Sequence, residues 1–140
     1  MQEITRVLVC GGRRYADKDI LCDCLDERLA AWRFLVLIHG DAEGADRLAD
    51  AWALERGVQP AVCRANWSKW PRAAGFIRND RMLILQPQVC IAFPGGRGTA
   101  HMIRQCESAG IAVRRVPARC DYVFNRPDMM YSRCGQQTLL

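Results

Sequence analysis

Lysine is nearly missing from this sequence: Lys18 and Lys69 are the only two, and arginine supplies the other 18 of the 20 basic side chains. The P-loop string GxxxxGK[ST] is absent, which argues against a P-loop NTPase. The fingerprint GxGxxG after a first strand is absent too, which argues against an ordinary dinucleotide dehydrogenase. No CxxC pair occurs among the eight cysteines, and His39 and His101 have none to join, so neither a zinc site nor a disulfide framework is expected and no cofactor is implied. No apolar run reaches the roughly 18 residues of a membrane span. The opening Met1-Gln2-Glu3-Ile4-Thr5-Arg6 lacks the basic and apolar regions of a signal peptide. With cysteines that read as reduced, the expectation is a cytoplasmic protein that touches no membrane.

What is present is the composition of one globular domain: 140 residues, 50% apolar and 25% charged. A chain of that length buries about two thirds of its unfolded surface and needs no disulfide to fold. The net charge of +5 suits an anionic ligand, yet it falls short of the dense basic stripes of dedicated nucleic-acid binders.

Five short apolar runs recur along the chain: Arg6 to Cys10, Leu35 to His39, Pro60 to Arg64, Val89 to Phe93 and Ile111 to Val116. Segments of helical spacing separate them, with faces at Leu21, Leu25, Leu29 and Trp32, then Leu48, Ala49, Trp52 and Ala53. A third face runs through Ala74, Ile77, Arg81 and Leu85 with Phe76 and Met82 alongside, and a fourth through Met102, Ile103 and Cys106. Continuous apolar strands joined by helical crossovers predict an α/β fold, a Rossmann-like three-layer sandwich with a mainly parallel five-stranded sheet. Pro60 cannot donate to a sheet ladder, and Arg114 and Arg115 do not suit a buried centre, so the third and fifth strands belong at the edges. Order 3-2-1-4-5 satisfies both, and its crevice lies outside the carboxyl ends of strands 1 and 4. Residues 1–118 form this domain. Residues 119–140 form a tail, packed on the domain or engaged in association, with Tyr122, Phe124, Met129, Met130 and Tyr131 as its larger apolar side chains.

The most specific loop is Phe93-Pro94-Gly95-Gly96-Arg97-Gly98-Thr99, between the fourth strand and the fourth helix. Its glycines let the main chain approach a ligand, and the free amides of a helix start favour phosphate. Thr99 is expected to cap the helix or to donate its hydroxyl to the anion. The first strand runs into Gly11-Gly12-Arg13-Arg14-Tyr15, where Arg13 could clamp a phosphate and Tyr15 could stack on a base or staple the next helix. The second exits through His39-Gly40-Asp41-Ala42-Glu43-Gly44-Ala45-Asp46, whose carboxylates cap the helix, hold ribose hydroxyls or orient an arginine. His39 reads as an acid or base or as a structural hydrogen-bonder. After the third strand come Trp67 and Trp70, at least one of them expected to be buried and either able to stack on a base, then Arg78 and Asn79.

Together, Gly11-Gly12-Arg13 with Tyr15, His39-Gly40-x-Ala42-x-Gly44-Ala45-Asp46, Ala74-Gly75-x-x-Arg78-Asn79-x-x-Met82 and Phe93-Pro94-Gly95-Gly96-x-Gly98-Thr99 resemble the YspA/YpsA-related branch of the SLOG superfamily, over about residues 4–117. Distant relatives of that branch are the lonely guy phosphoribohydrolases and the DNA-processing protein A family. The resemblance implies a Rossmann-like domain that binds a nucleotide or nucleotide-derived ligand, often as a homodimer. Its binding set comprises Gly11, Gly12, Arg13, Tyr15, His39, Gly40, Gly44, Asp46, Arg78, Asn79, Pro94, Gly95, Gly96, Arg97, Gly98 and Thr99. In the lonely guy enzymes PGGxGT is followed by a glutamate that works with an arginine. Arg78 matches that arginine, but Met102 stands at the glutamate position, and a thioether cannot activate water. The leading expectation is therefore a sensor of a nucleotide-like small molecule. Hydrolysis of a nucleoside 5′-monophosphate, with Arg78 and Asp46 as catalytic residues, is the alternative. Single-stranded nucleic-acid binding through the tryptophans near Arg64, Lys69 and Arg72 ranks third.

Overall fold

Side chains alternate between the two faces of a strand, so a strand apolar at every position must be covered on both sides. The stretch Val7–Cys10 of the first strand, β1 (Ile4–Cys10), meets that condition: Val7 and Val9 belong to one buried cluster, Leu8 and Cys10 to the other. In the computed structural model, which describes residues 4–31 and 34–125, β1 is the central strand of the sheet. It is followed by α1 (Lys18–Ala31), β2 (Phe34–His39), α2 (Ala45–Arg56), β3 (Gln59–Val62), α3 (Ala74–Ile84), β4 (Val89–Ala92), α4 (Arg97–Ser108), β5 (Ala112–Arg115) and α5 (Arg119–Asn125). The sheet has five strands, all parallel, in the order β3-β2-β1-β4-β5 expected from the sequence.

Register places Leu8 beside Ile38 on one side and Cys90 on the other. These side chains face Met82 of α3 and Met102 and Cys106 of α4. On the opposite face Val7, Val9, Leu37 and Ile91 pack against Leu21 and Leu25 of α1 and Ala49 and Trp52 of α2. The Cys10 and Cys90 sulfurs lie 3.7 Å apart within the α3/α4 layer. Hydrogen bonding to Cys10 and burial push the Cys90 thiol up, so it stays a protonated apolar filler. Among the described residues, no group of three or more His, Cys, Asp or Glu side chains could hold a metal ion. No helix among them is long and apolar enough to cross a membrane.

Both edges are as expected: Pro60 lies in β3, and the exposed Arg114 and Arg115 lie in β5. The expected face of α3 is corrected. Its buried residues are Ala74, Asn79 and Met82, while Phe76, Arg81 and Leu85 are exposed. A polar residue holds the inward position because its hydrogen bonds are all made inside the protein, which an apolar periodicity cannot register. The tail begins with α5, where Arg119 pairs with Asp17 at 2.9 Å and Asp19 at 3.7 Å, and the buried Tyr122 donates to Asp23 at 3.2 Å. Trp32, Met129, Met130, Tyr131, Cys134 and the Phe124 side chain lie outside the described residues.

Candidate functional site

The winding reverses between β1 and β4, and there the loops lock backbone to backbone. The Gly12 amide donates to the Pro94 carbonyl at 2.9 Å, while the Gly12 carbonyl accepts from the Tyr15 and Ala45 amides, each at 3.2 Å. A β-carbon on Gly12 would come within 2.9 Å of the Pro94 oxygen, and one on Gly11 within 2.5 Å of the Ala45 β-carbon. The first glycine pair is thus required by loop packing. Gly40 leaves room for the Arg78 side chain, which would lie 2.5 Å from an added β-carbon.

The fourth loop differs. Gly95 packs against Thr99 and Gly12, but a β-carbon at Gly96 or Gly98 would meet nothing within 4 Å. Neither glycine has positive φ. Packing therefore gives no reason for either, although Gly96 has ψ of −139°, outside the α and β regions, and the space they leave belongs to a cavity of about 930 Å³ bordered by all three loop glycines. Gly96 is the N-cap of α4 without a side-chain cap, and no acidic residue occupies the first turn. The first intrahelical bond runs from the Ala100 amide to the Gly96 carbonyl, which leaves the Arg97, Gly98 and Thr99 amides for another acceptor. Thr99 does not cap the helix; it is the third residue of α4, with its hydroxyl tucked beside Gly95.

Cations border the same cavity. Arg13, Arg72, Arg78 and Arg97 border the cavity, and none is ion-paired to a described residue, whereas Arg47, Arg56, Arg64, Arg115 and Arg119 are. Arg78 is held by its Nη1 donating to the Gly40 carbonyl at 2.8 Å and its Nε to Asn79 Oδ1 at 3.1 Å. Burial lowers its guanidinium from the usual arginine value, opposed by Asp46. Asn79 Nδ2 reaches the Gly98 carbonyl at 3.2 Å and His101 Nδ1 at 3.1 Å, so Asn79 fixes both Arg78 and the first turn of α4. The Arg13 guanidinium lies 5.4 Å from the centre of the Trp67 ring.

Asp46 is 5% exposed on the cavity wall. Its Oδ2 accepts from the Gly40 amide at 3.0 Å and the Ala42 amide at 3.3 Å. Burial raises its carboxyl above the ordinary value of 3.8, against the opposing pull of those amides, His39 and Arg78. The folded state therefore retains a proton that the unfolded chain loses, so this group's contribution to stability falls as pH rises from about 4 through the raised value. Asp46→Asn keeps a carbonyl acceptor for the amides and removes the titration. It is expected to raise the denaturant midpoint more at pH 7 than at pH 4; an equal change at both values would contradict this.

His39 is not brought to the cavity. It is fully buried, its Nδ1 accepting from the Asp41 amide at 3.0 Å, so the ring proton sits on Nε2 and is donated to Asp50 at 2.7 Å. Asp41, with φ of 56°, turns its carboxylate to Arg64 at 3.0 Å and Arg47 at 3.7 Å. Tyr15 borders the cavity, with its ring 5.2 Å from Phe93 and its hydroxyl buried without a described partner. Met102, at 0% exposure, forms part of the floor. Trp67 and Trp70 are both exposed, contrary to expectation, and Trp67 stands at the cavity wall. Arg72 and Phe76 also border the cavity, where the sequence marks Phe76 only beside a helical face and Arg72 only as a cation near the tryptophans.

Residues 5–70 match the profile of the YAcAr family, the YspA, cpYpsA-related SLOG family. The chain is also similar to the Gene 61 protein of Mycobacterium phage D29, 40% identical over 116 residues that cover 77% of this chain and 93% of that protein. With the α/β sheet order and the locked glycine loops, these likenesses place the chain: it belongs to the YspA, cpYpsA-related SLOG family.

Proposed function

We propose that this protein binds a nucleotide or nucleotide-derived phosphorylated ligand as a sensor, with the phosphate on the Gly98 and Thr99 amides and Arg13 and Arg78 closing on it. Family membership supports nucleotide-related binding or ribohydrolase-like chemistry. The observation that carries the ligand reading is the pair Gly96 and Gly98: glycines that no neighbouring atom requires, at an uncapped and acid-free helix start, inside a large cavity with arginines that have no ion-pair partner among the described residues. Helix amides and the macrodipole favour an anion there, and planar guanidinium groups bind phosphate bidentately. Nucleotides are expected to raise the melting temperature, and the corresponding nucleosides to raise it far less, because a ligand stabilises only the state that binds it. Failure of every phosphorylated ligand to shift the transition would refute the proposal.

One observation favours a second reading. Asp46 presents to the same cavity as Arg78 a buried carboxyl whose pKa burial raises, a perturbation of the kind found at functional sites. Hydrolysis of the N-glycosidic bond of a nucleoside monophosphate would then rely on Asp46 in place of the missing glutamate. Release of free base, abolished in Asp46→Asn, would establish it; binding without release leaves the sensor.

A further inference from the structure

Trp67 is an expensive residue to leave in water. It is 45% exposed and belongs to neither apolar cluster, so the core makes no use of it. Its position is nevertheless fixed. The turn that carries it is closed by the Lys69 amide donating to Asn66 Oδ1 and the Trp70 amide donating to the Asn66 carbonyl, both at 3.0 Å. The edge of the indole lies against α3, where a β-carbon on Gly75 would come within 3.5 Å of it. The indole stands between the large cavity and a smaller polar one of about 320 Å³, and Arg13, Ala42 and Arg78 border both as well.

The guanidinium of Arg13 lies over this ring, 5.4 Å from its centre. A guanidinium and a nucleobase are both flat, polarisable groups that an indole face accepts. Arg13 is also a cavity cation without a carboxylate partner among the described residues, so a phosphate draws it away from the ring.

Resting on the phosphate reading above, we propose that Trp67 is the base platform of the site. The nucleobase stacks on the indole where Arg13 now lies, and Arg13 moves to the phosphate. The ligand class is therefore a nucleotide with an intact aromatic base, not a sugar phosphate.

The test titrates the wild type, Trp67→Ala and Trp67→Phe with the common ribonucleoside 5′-monophosphates and with ribose 5-phosphate. At least one nucleotide is expected to bind the wild type about 10-fold or more tightly than ribose 5-phosphate, the size of one base–aromatic stack. Trp67→Ala should lose that preference and keep its affinity for ribose 5-phosphate, and Trp67→Phe should retain most of it. Equal loss for both ligand types, or none for either, overturns the platform and leaves the phosphate site standing. If neither ligand type binds the wild type, the phosphate site and the platform fall together. Should Trp67→Ala not fold, Trp67→Phe and the wild-type preference decide: no preference for any nucleotide over ribose 5-phosphate overturns the platform.

Discussion

Gly98→Asp is expected to make the protein slightly more stable while removing its ligand. Gly98 is the second residue of α4, and a side chain there meets no neighbour within 4 Å. Glycine inside a helix costs up to about 1 kcal/mol relative to alanine, and a carboxylate in the first turn interacts favourably with the macrodipole by about 0.3–1 kcal/mol. A net gain of about 0.5–1 kcal/mol follows. For the ligand the sign reverses, because the new carboxylate stands where the phosphate would be and repels it. At an effective dielectric constant of about 20, like charges about 4 Å apart cost about 4 kcal/mol, so even partial screening leaves a loss of about 100-fold or more. Thermal unfolding and nucleotide titration on the same sample read both effects. An unchanged affinity in a folded variant would remove the anion from this helix start.

Gly44→Ala is expected to cause the largest loss of stability. Gly44 precedes α2 with φ of 83° and ψ of −125°, a region that side chains rarely adopt. Its missing β-carbon would also run into the Gly12 carbonyl oxygen and lie 2.6 Å from the Arg13 carbonyl carbon. Backbone strain of about 1–3 kcal/mol combines with overpacking of about 1–3 kcal/mol, and the obstacle is main chain already bonded to Tyr15 and Ala45. A total of about 3 kcal/mol or more is expected, measured as a shift in the urea midpoint. Gly57 sets the scale for the left-handed region alone. It also has positive φ, 70°, but nothing lies within 4 Å of an added β-carbon, so Gly57→Ala should cost only the backbone part, about 1 kcal/mol. Equal losses in the two variants would contradict the packing argument.

The sheet was legible because each cue is local. Uninterrupted apolar runs mark strands buried on both faces, and Pro60, Arg114 and Arg115 assign the edges. The Gly95–Thr99 loop was legible too, since strand, glycines and helix follow one another in the chain. The resolution of individual roles was not. Asn79 is buried because Arg78, Gly98 and His101 satisfy it, and those partners lie on two helices. His39 is drawn inward by Asp50 and the Asp41 amide instead of facing the cavity. Glycines that look alike in sequence divide by what lies across from them: Gly12 and Gly44 face backbone, Gly96 and Gly98 face open space. Trp67 remains outside the core because its turn closes over α3 at the mouth of the crevice, a tertiary placement that no periodicity encodes.

The most direct measurement is an electron-density map of crystals soaked with a nucleoside monophosphate. The phosphate oxygens should lie about 2.7–3.2 Å from the Gly98 and Thr99 amide nitrogens, with a guanidinium of Arg13 or Arg78 on the same group. Density for the ligand elsewhere on the protein, or with its phosphate turned to solvent and the α4 amides unengaged, would contradict the assignment.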